Sequence, residues 1–534
     1  MTEAVPPMKS GGSTEKLDRR ILMIGSVVVL GAIMAMLDIT VVNVALSHLI
    51  DEFDSDLETM QWIATGYTLA LATVIPLSGW AADRFGTKRI YLVAVFLFMA
   101  GSALAGLAWD PASLIFFRVL QGLGGGLLMP LGMTILTKAA GPERVGRVMA
   151  VIGVPMLLGP ILGPILGGWL VDDVSWRWIF FLNVPIGIVT LFLGSRILEA
   201  DEPQPTQKLD VLGLLLLSPG LAALIYGLAK VPANGGFGAA EVYLPAVGGA
   251  ILVALFIWHA LRTPHALIDL KLFKDRGFSV ASVTMVLFTV AFFGAMLLFP
   301  LYFQQVRGEG ALAAGLLLAP QGIGAMIMMP IAGAIVDKVG SARIAQLGIL
   351  VIVGGMVLFT QLEADTSYLA IGISLFVLGV GMGMVMMPVM SAALKTLKQA
   401  DVARASTSLN IVQQVAASIG TAMLSVILFN GIKDRLPPAP PGAPAQSTSL
   451  QDLPENVRQT VAPLFADAYS STFVWALILL AISILPALLL PRGKDAVGAA
   501  ASHQAPSSDT GETGQTPIDP ATNEPVAEKV ADLK

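Results

Sequence analysis

Two opposite charges stand in runs of residues that otherwise suit oil: Asp38 in LDITVVNVAL and Arg118 in LIFFRVLQGLGGG. A charge at the centre of a membrane helix costs a few kcal/mol even on the most lenient scale, so it marks a function by default, with a partner to be named. Counted from the outer ends of their runs, Arg118 lies about 9 Å in and Asp38 about 12 Å in, at 1.5 Å per residue. Two opposite charges on separate helices thus share a depth. An arginine keeps its proton at any useful pH. A carboxylate can change state, because desolvation raises its pKa while a nearby guanidinium lowers it. That competition suits a proton carrier. The competing reading is that Arg118 snorkels to the outer surface.

The remaining reactive residue types offer little else. Cysteine is absent, which excludes disulfides, thiolate metal sites and cysteine nucleophiles. The four histidines, His48, His259, His265 and His503, fall at helix ends, in loops or in the tail. No Asp/Glu/His cluster forms on a helix, and no G-x-x-x-x-G-K-[ST] phosphate loop occurs. The chain therefore reads as no enzyme, with no cofactor, no resident metal and no nucleic-acid partner.

The elements that must hold the pair are membrane helices. The chain of 534 residues is 55% hydrophobic and 13% charged, with mean hydropathy +0.76, against about 25% charged in soluble domains. Fourteen apolar runs long enough to span begin near Ile21, Thr59, Arg89, Ala112, Val145, Arg177, Val211, Tyr243, Phe278, Leu312, Ala342, Tyr368, Val402 and Ser470. Of the 32 Lys and Arg, 25 fall on one side if the N-terminus is cytoplasmic. Only Arg177, Lys230, Arg307, Lys433, Arg435 and Arg458 fall on the other, with Arg118 within. The positive-inside rule then puts both termini in the cytoplasm. The first 20 residues lack the layout of a signal peptide. They read as a cytoplasmic tail, and 495–534 as a disordered one.

An internal repeat organises the spans. PLSGWAADRFGTKRI from Pro76 and PIAGAIVDKVGSARI from Pro330 share six of fifteen residues at an offset of 254. LLMP ending at Pro130 is echoed by VMMP ending at Pro388. The repeat is displaced by eight spans, an even number, so the copies run parallel, a plan used by secondary transporters. The expected division is a six-helix bundle over 21–200, two inserted helices over 201–265, and a second bundle over 266–494 with an outer loop near 431–468.

Four motifs carry a family likeness. GWAADRFGTKR (Gly79–Arg89) resembles the signature between helices 2 and 3 of the major facilitator superfamily. RVLQGLGGG is similar to the helix-4 motif of its proton-coupled members, and GVPMLLGPILGPILGGWL (Gly153–Leu170) to the helix-5 antiporter motif. LDITVVNVAL resembles the helix-1 motif of the fourteen-helix drug:proton antiporters of the EmrB/QacA type. One departure stands in the first motif, where Trp80 and Ala81 replace the usual small residue and Leu.

The resemblance implies an all-α facilitator fold and export of amphipathic drugs or dyes across the plasma membrane by proton antiport. Asp38 and Arg118 would couple the proton. Asp83, Arg84, Gly86 and Arg89, with Asp337 in the repeat, would form a cytoplasmic latch in which Asp83 meets the start of span 13 near Val402. Gly159, Gly163 and Gly167 in span 5 fall every four residues along nearly one face, where small residues permit close helix approach, while Pro160 bends the helix locally; the family adds an outer seal. Scattered polar groups, Gln61, Trp62, Tyr67, Gln121, Gln305, Gln321, Asn410 and Gln413, are the candidates for lining a substrate cavity. The expected partners are a small amphipathic substrate, protons and lipid, with the protein acting as a monomer. Export of an endogenous lipid, siderophore or metabolite competes with drug export; a channel or a membrane-embedded enzyme fits less well.

Overall fold

The computed structural model describes residues 19–55, 57–140, 163, 166–201, 203, 208–232, 234–263, 266–395, 397, 401–435 and 455–490. The chain divides into two units, Met1–Gly493 and Lys494–Lys534, and all the described residues lie in the first. Among them every regular element is helical. The cause is the solvent: in lipid each backbone N–H and C=O must find its partner inside the segment, which an α-helix alone achieves without a closed barrel.

The N-terminal helices are α1 (Arg19–Glu52), α2 (Leu57–Val74), α3 (Leu77–Phe85), α4 (Thr87–Gly106) and α5 (Pro111–Ala140), followed by α6 (Trp178–Phe181) and α7 (Asn183–Ile197). Next come α8 (Val211–Lys230) and α9 (Ala240–Arg262). The C-terminal helices are α10 (Arg276–Gln305), α11 (Ala311–Leu317), α12 (Ala319–Val339), α13 (Ser341–Met356), α14 (Tyr368–Lys395), α15 (Val402–Arg435) and α16 (Glu455–Leu488). Among the described residues, twelve helices are long and apolar enough to cross a membrane, and α2 with α3 add one more, bent by 54°. The bend falls at Pro76, where the ring removes a donor and crowds the preceding turn. Most of the expected fifth span, with Gly159 and Pro160, lies outside the described residues.

The helices run further than the expected outer loop near 431–468 allowed. Helix α15 continues to Arg435, and α16 begins at Glu455. Val461 and Phe465, four residues apart on one face of α16, are packed against the core.

The repeat appears in the backbone. Gly86, after α3, has φ +89° and ψ 137°; Gly340, after α12, has φ +96° and ψ 141°. Each is the joint at which one helix stops and the next starts at once, a conformation that favours glycine. Helices α8 and α9 lie side by side, and α8 with the loop after it touches both sets. Ser218 on α8 donates to the Thr73 carbonyl of α2 at 2.6 Å, Tyr226 stacks on Trp62 at 5.6 Å, and Phe429 of α15 packs against Gly235.

Candidate functional site

The glycines after Arg118 explain how its helix is seated. A Cβ at Gly122 would stand 2.5 Å from the Tyr67 carbonyl oxygen, and one at Gly124 2.5 Å from the Phe98 nitrogen. Helix α5 is therefore pressed between α2 and α4, backbone against backbone. Such an approach holds the side chains one turn earlier, Arg118 and Gln121, in fixed places.

Those side chains meet Asp38. Arg118 donates from Nη1 to Asp38 Oδ2 at 2.6 Å, and both side chains are buried. The same Nη1 donates to Gln121 Oε1 at 2.6 Å, while Gln121 Nε2 donates to Asp38 Oδ1 at 2.7 Å. Arg118 Nε reaches the Ile63 carbonyl of α2 at 3.3 Å. The guanidinium lies 4.2 Å from the Tyr67 ring centroid and 5.7 Å from that of Phe180, two cation–π contacts in a desolvated place. Arg118 is thus turned inward and does not snorkel. Two residues that the sequence alone did not single out complete the shell: Asn183 Nδ2 approaches Asp38 Oδ1 at 3.3 Å and Ser102 Oγ at 3.0 Å.

At the basic end the two sets of helices touch. Asp83 Oδ2 accepts from Arg404 Nε at 3.3 Å, in the first turn of α15. The hydroxyls of Ser78 and Thr407 share a hydrogen bond of 2.7 Å, and Asn410 Nδ2 lies 3.6 Å from Met133 Sδ. Arg84 is half-buried and Arg89 exposed, neither on that contact; Asp337, at the repeat position of Asp83, lies in the last turn of α12.

Nearby, Asp201 accepts from the Thr87 backbone N–H at 2.9 Å, the Thr87 hydroxyl and Lys138 Nζ at 3.0 Å. Partial burial pushes this carboxyl up. The hydrogen bonds from Thr87 and the Lys138 charge outweigh that, and hold it below its ordinary value.

The polar residues expected to line a cavity are dispersed. Tyr67 and Gln121 belong to the Asp38 cluster. Gln305 accepts from the Tyr469 hydroxyl at 2.8 Å, and Trp62 is engaged with Tyr226. Gln321 is buried with its amide nitrogen unpartnered among the described residues; Gln61 is exposed, and Gln413 half-buried. Gly167 is buried, and Gly163 packs directly on Thr40 of α1. Among the described residues, no group of three His, Cys, Asp or Glu could hold a metal ion.

Residues 28–421 match the Major Facilitator Superfamily model. The chain belongs to that superfamily. Its relatives include the "Multidrug resistance protein B homolog" of Mycobacterium tuberculosis, 43% identical over 90% of this chain and 91% of that one. The "Multidrug export protein EmrB" of Haemophilus influenzae is 31% identical over 80% of this chain and 82% of its own. The human organic anion transporter MFSD10 has a similar fold, with TM-score 0.57 at 16% identity, covering 87% of this chain and all, 100%, of that one. This superfamily member is a multi-pass membrane transporter and not an enzyme.

Proposed function

We propose that the protein exports amphipathic drugs or dyes in exchange for protons by alternating access, through fourteen spans arranged as six, two and six in the inner membrane, both termini cytoplasmic. The observation that carries this reading is the buried Asp38–Arg118 pair. A membrane protein keeps two charges in its interior at a cost, and one of the two can bind and release a proton. One charge moving inward supplies about 2.3 kcal/mol per 100 mV, so no nucleotide is needed. The contact of Asp83 with the start of α15 serves as the cytoplasmic latch, closed while the opposite end admits a proton. Gly163, packed against Thr40 of α1, keeps the wall beside Asp38 tight. The export of drugs follows the names of the relatives.

Dye transport in reconstituted vesicles across pH tests this, for wild type, Arg118→Lys, Arg118→Ala and Asp38→Asn. Asp38→Asn should abolish proton-driven transport. Arg118→Lys should be poorly tolerated, because Lys is a point charge and cannot reproduce a planar fork bonded to Asp38, Gln121 and the Ile63 carbonyl. Full transport by Arg118→Lys with an unmoved pH optimum would leave Arg118 an anchor without a coupling role.

A further inference from the structure

Two amides donate to Asp38, and they are not equivalent. Gln121 is engaged at both ends, its Oε1 held by Arg118 at 2.6 Å and its Nε2 given to Asp38 at 2.7 Å. Turning Gln121 over would set its NH2 against the guanidinium, donor against donor. Asn183 is different. Its Nδ2 serves Asp38 Oδ1 at 3.3 Å and Ser102 Oγ at 3.0 Å, while its Oδ1 is buried and has no partner among the described residues.

An amide with one idle end can turn. Turned, Asn183 would bring Oδ1 to the place between Asp38 Oδ1 and Ser102 Oγ. There a carbonyl oxygen faces an ionised carboxylate badly and a carboxylic acid well, since only the acid has a proton to give. The Ser102 hydroxyl can follow. It now donates to the Phe180 carbonyl at 2.9 Å and can rotate to donate to the turned amide. Among the described residues, the charged or titratable groups facing Asp38 are Arg118 on α5 and Tyr67 on α2. Helices α4 and α7 add Ser102 and Asn183, which do not titrate in this range.

We infer that Asn183 is a positioning residue for the coupling proton: it donates to the Asp38 carboxylate, and turns over to accept from the acid once a proton is bound at Oδ1. This rests on the proton-coupling reading above. The step adds one proton to one carboxylate oxygen and moves no electrons. The amide's N–H contacts to Asp38 Oδ1 and Ser102 Oγ give way to O–H···O contacts from the acid and from the Ser102 hydroxyl, which leaves the Phe180 carbonyl. A neighbour of Asp38 that merely filled space would need no amide. A neighbour serving both protonation states must be able both to give and to accept.

The test uses purified full-length protein. Infrared difference spectra between neutral and acid pH should show a carboxylic-acid carbonyl band that disappears in Asp38→Asn. In Asn183→Leu, which keeps the shape and loses both hydrogen-bonding functions, that band should move to higher wavenumber. Proton-driven efflux of ethidium from vesicles should fall about tenfold in that variant, the size of effect of one buried group left unpaired. Asn183→Ser, whose hydroxyl gives or accepts, should return both readouts most of the way. Asn183→Ala carries the leucine expectations without added bulk, should the leucine variant fail to assemble. An unmoved band and unchanged efflux in the leucine or alanine variant would overturn the inference and leave Asn183 a packing residue. A band that survives in Asp38→Asn would instead overturn the coupling reading beneath it.

Discussion

The two sets of helices share a frame and differ in what they bury. In the N-terminal set the centre is polar: Asp38, Arg118, Gln121, Asn183 and Ser102 joined by hydrogen bonds. The C-terminal set is filled with rings. Phe288 stacks on Phe292 at 5.3 Å, Phe299 on Phe473 at 5.2 Å, and Phe359 meets Phe299 edge-on at 4.8 Å. In the register set by LLMP and VMMP, Arg118 corresponds to Phe376 and Gln121 to Gly379. Yet Gly86 and Gly340 keep one conformation. The backbone joints are duplicated, and the ionisable pair is not. In the antiport reading proposed above, the matched halves rock and the pair in one half biases that rocking through its proton.

The largest way to break that contrast is to unbalance the pair. Asp38→Ala leaves the Arg118 charge buried with no counter-charge, which costs about 3–5 kcal/mol in buried pairs. The expected result is low expression, early thermal unfolding in detergent and no transport. Asp38→Leu with Arg118→Met should recover much of the stability, because an apolar replacement removes the uncompensated charge, and should recover no transport. In the C-terminal set, Phe292→Leu takes a ring out of a buried stack and should cost about 1–3 kcal/mol, and should leave the pH profile of transport in place. A double variant as unstable as Asp38→Ala would show that the cluster holds the fold by more than charge balance.

Next in size is the wall beside the pair. A side chain at Gly163 would collide with Thr40, two residues beyond Asp38 on α1. Gly163→Leu should push the fifth span off α1, with expression kept and coupled efflux lost or replaced by a proton leak. Unchanged coupling in vesicles would mean that α1 yields without disturbing Asp38.

Much of this is legible in the amino-acid sequence. Apolar runs in a chain with so few charges become helices because lipid leaves the backbone no other partner, and a fixed rise per residue puts Asp38 and Arg118 at one depth. The contact of Asp83 with the start of span 13 follows from the resemblance, and the structure places Arg404 there. Asn183 is not legible. One amide in an apolar run carries no sign of its partner until α1, α4 and α7 lie side by side. Nor can amide counting distinguish Gln305, bonded to Tyr469, or Gln121, bonded to Arg118, from residues free to line a cavity. Asp201 lies just beyond a helix end, where an acidic residue looks like ordinary solvated surface.

A smaller effect is expected where the two sets meet. Asp83→Asn keeps the shape and removes the charge facing Arg404, in the first turn of α15. A carboxylate at a helix N-terminus gains typically about 0.3–1 kcal/mol. The variant should fold and insert, with efflux slowed several-fold because the closed state at the basic end is less favoured. Normal efflux kinetics would reduce Asp83 to a signal for topology.

The smallest effect lies inside the N-terminal set. Asp201 caps α4 through the Thr87 N–H and binds Lys138 at the end of α5, so it ties the ends of two helices together. Burial raises its carboxyl, but the Thr87 and Lys138 hydrogen bonds prevail and hold it below its usual 3.8. A carboxyl lowered on folding contributes stability that is fully present above that usual value. The contribution is lost as pH falls through the lower, folded value, where the native state must also take up the proton. Asp201→Asn should therefore lower the unfolding temperature at neutral pH by the equivalent of about 0.3–1 kcal/mol. The gap from wild type should be constant down to the ordinary carboxylate range and close below it. Unfolding followed in detergent from neutral pH into acid reads this directly. A gap that persists unchanged in acid would assign the loss to packing at the corner and remove the charge from the account.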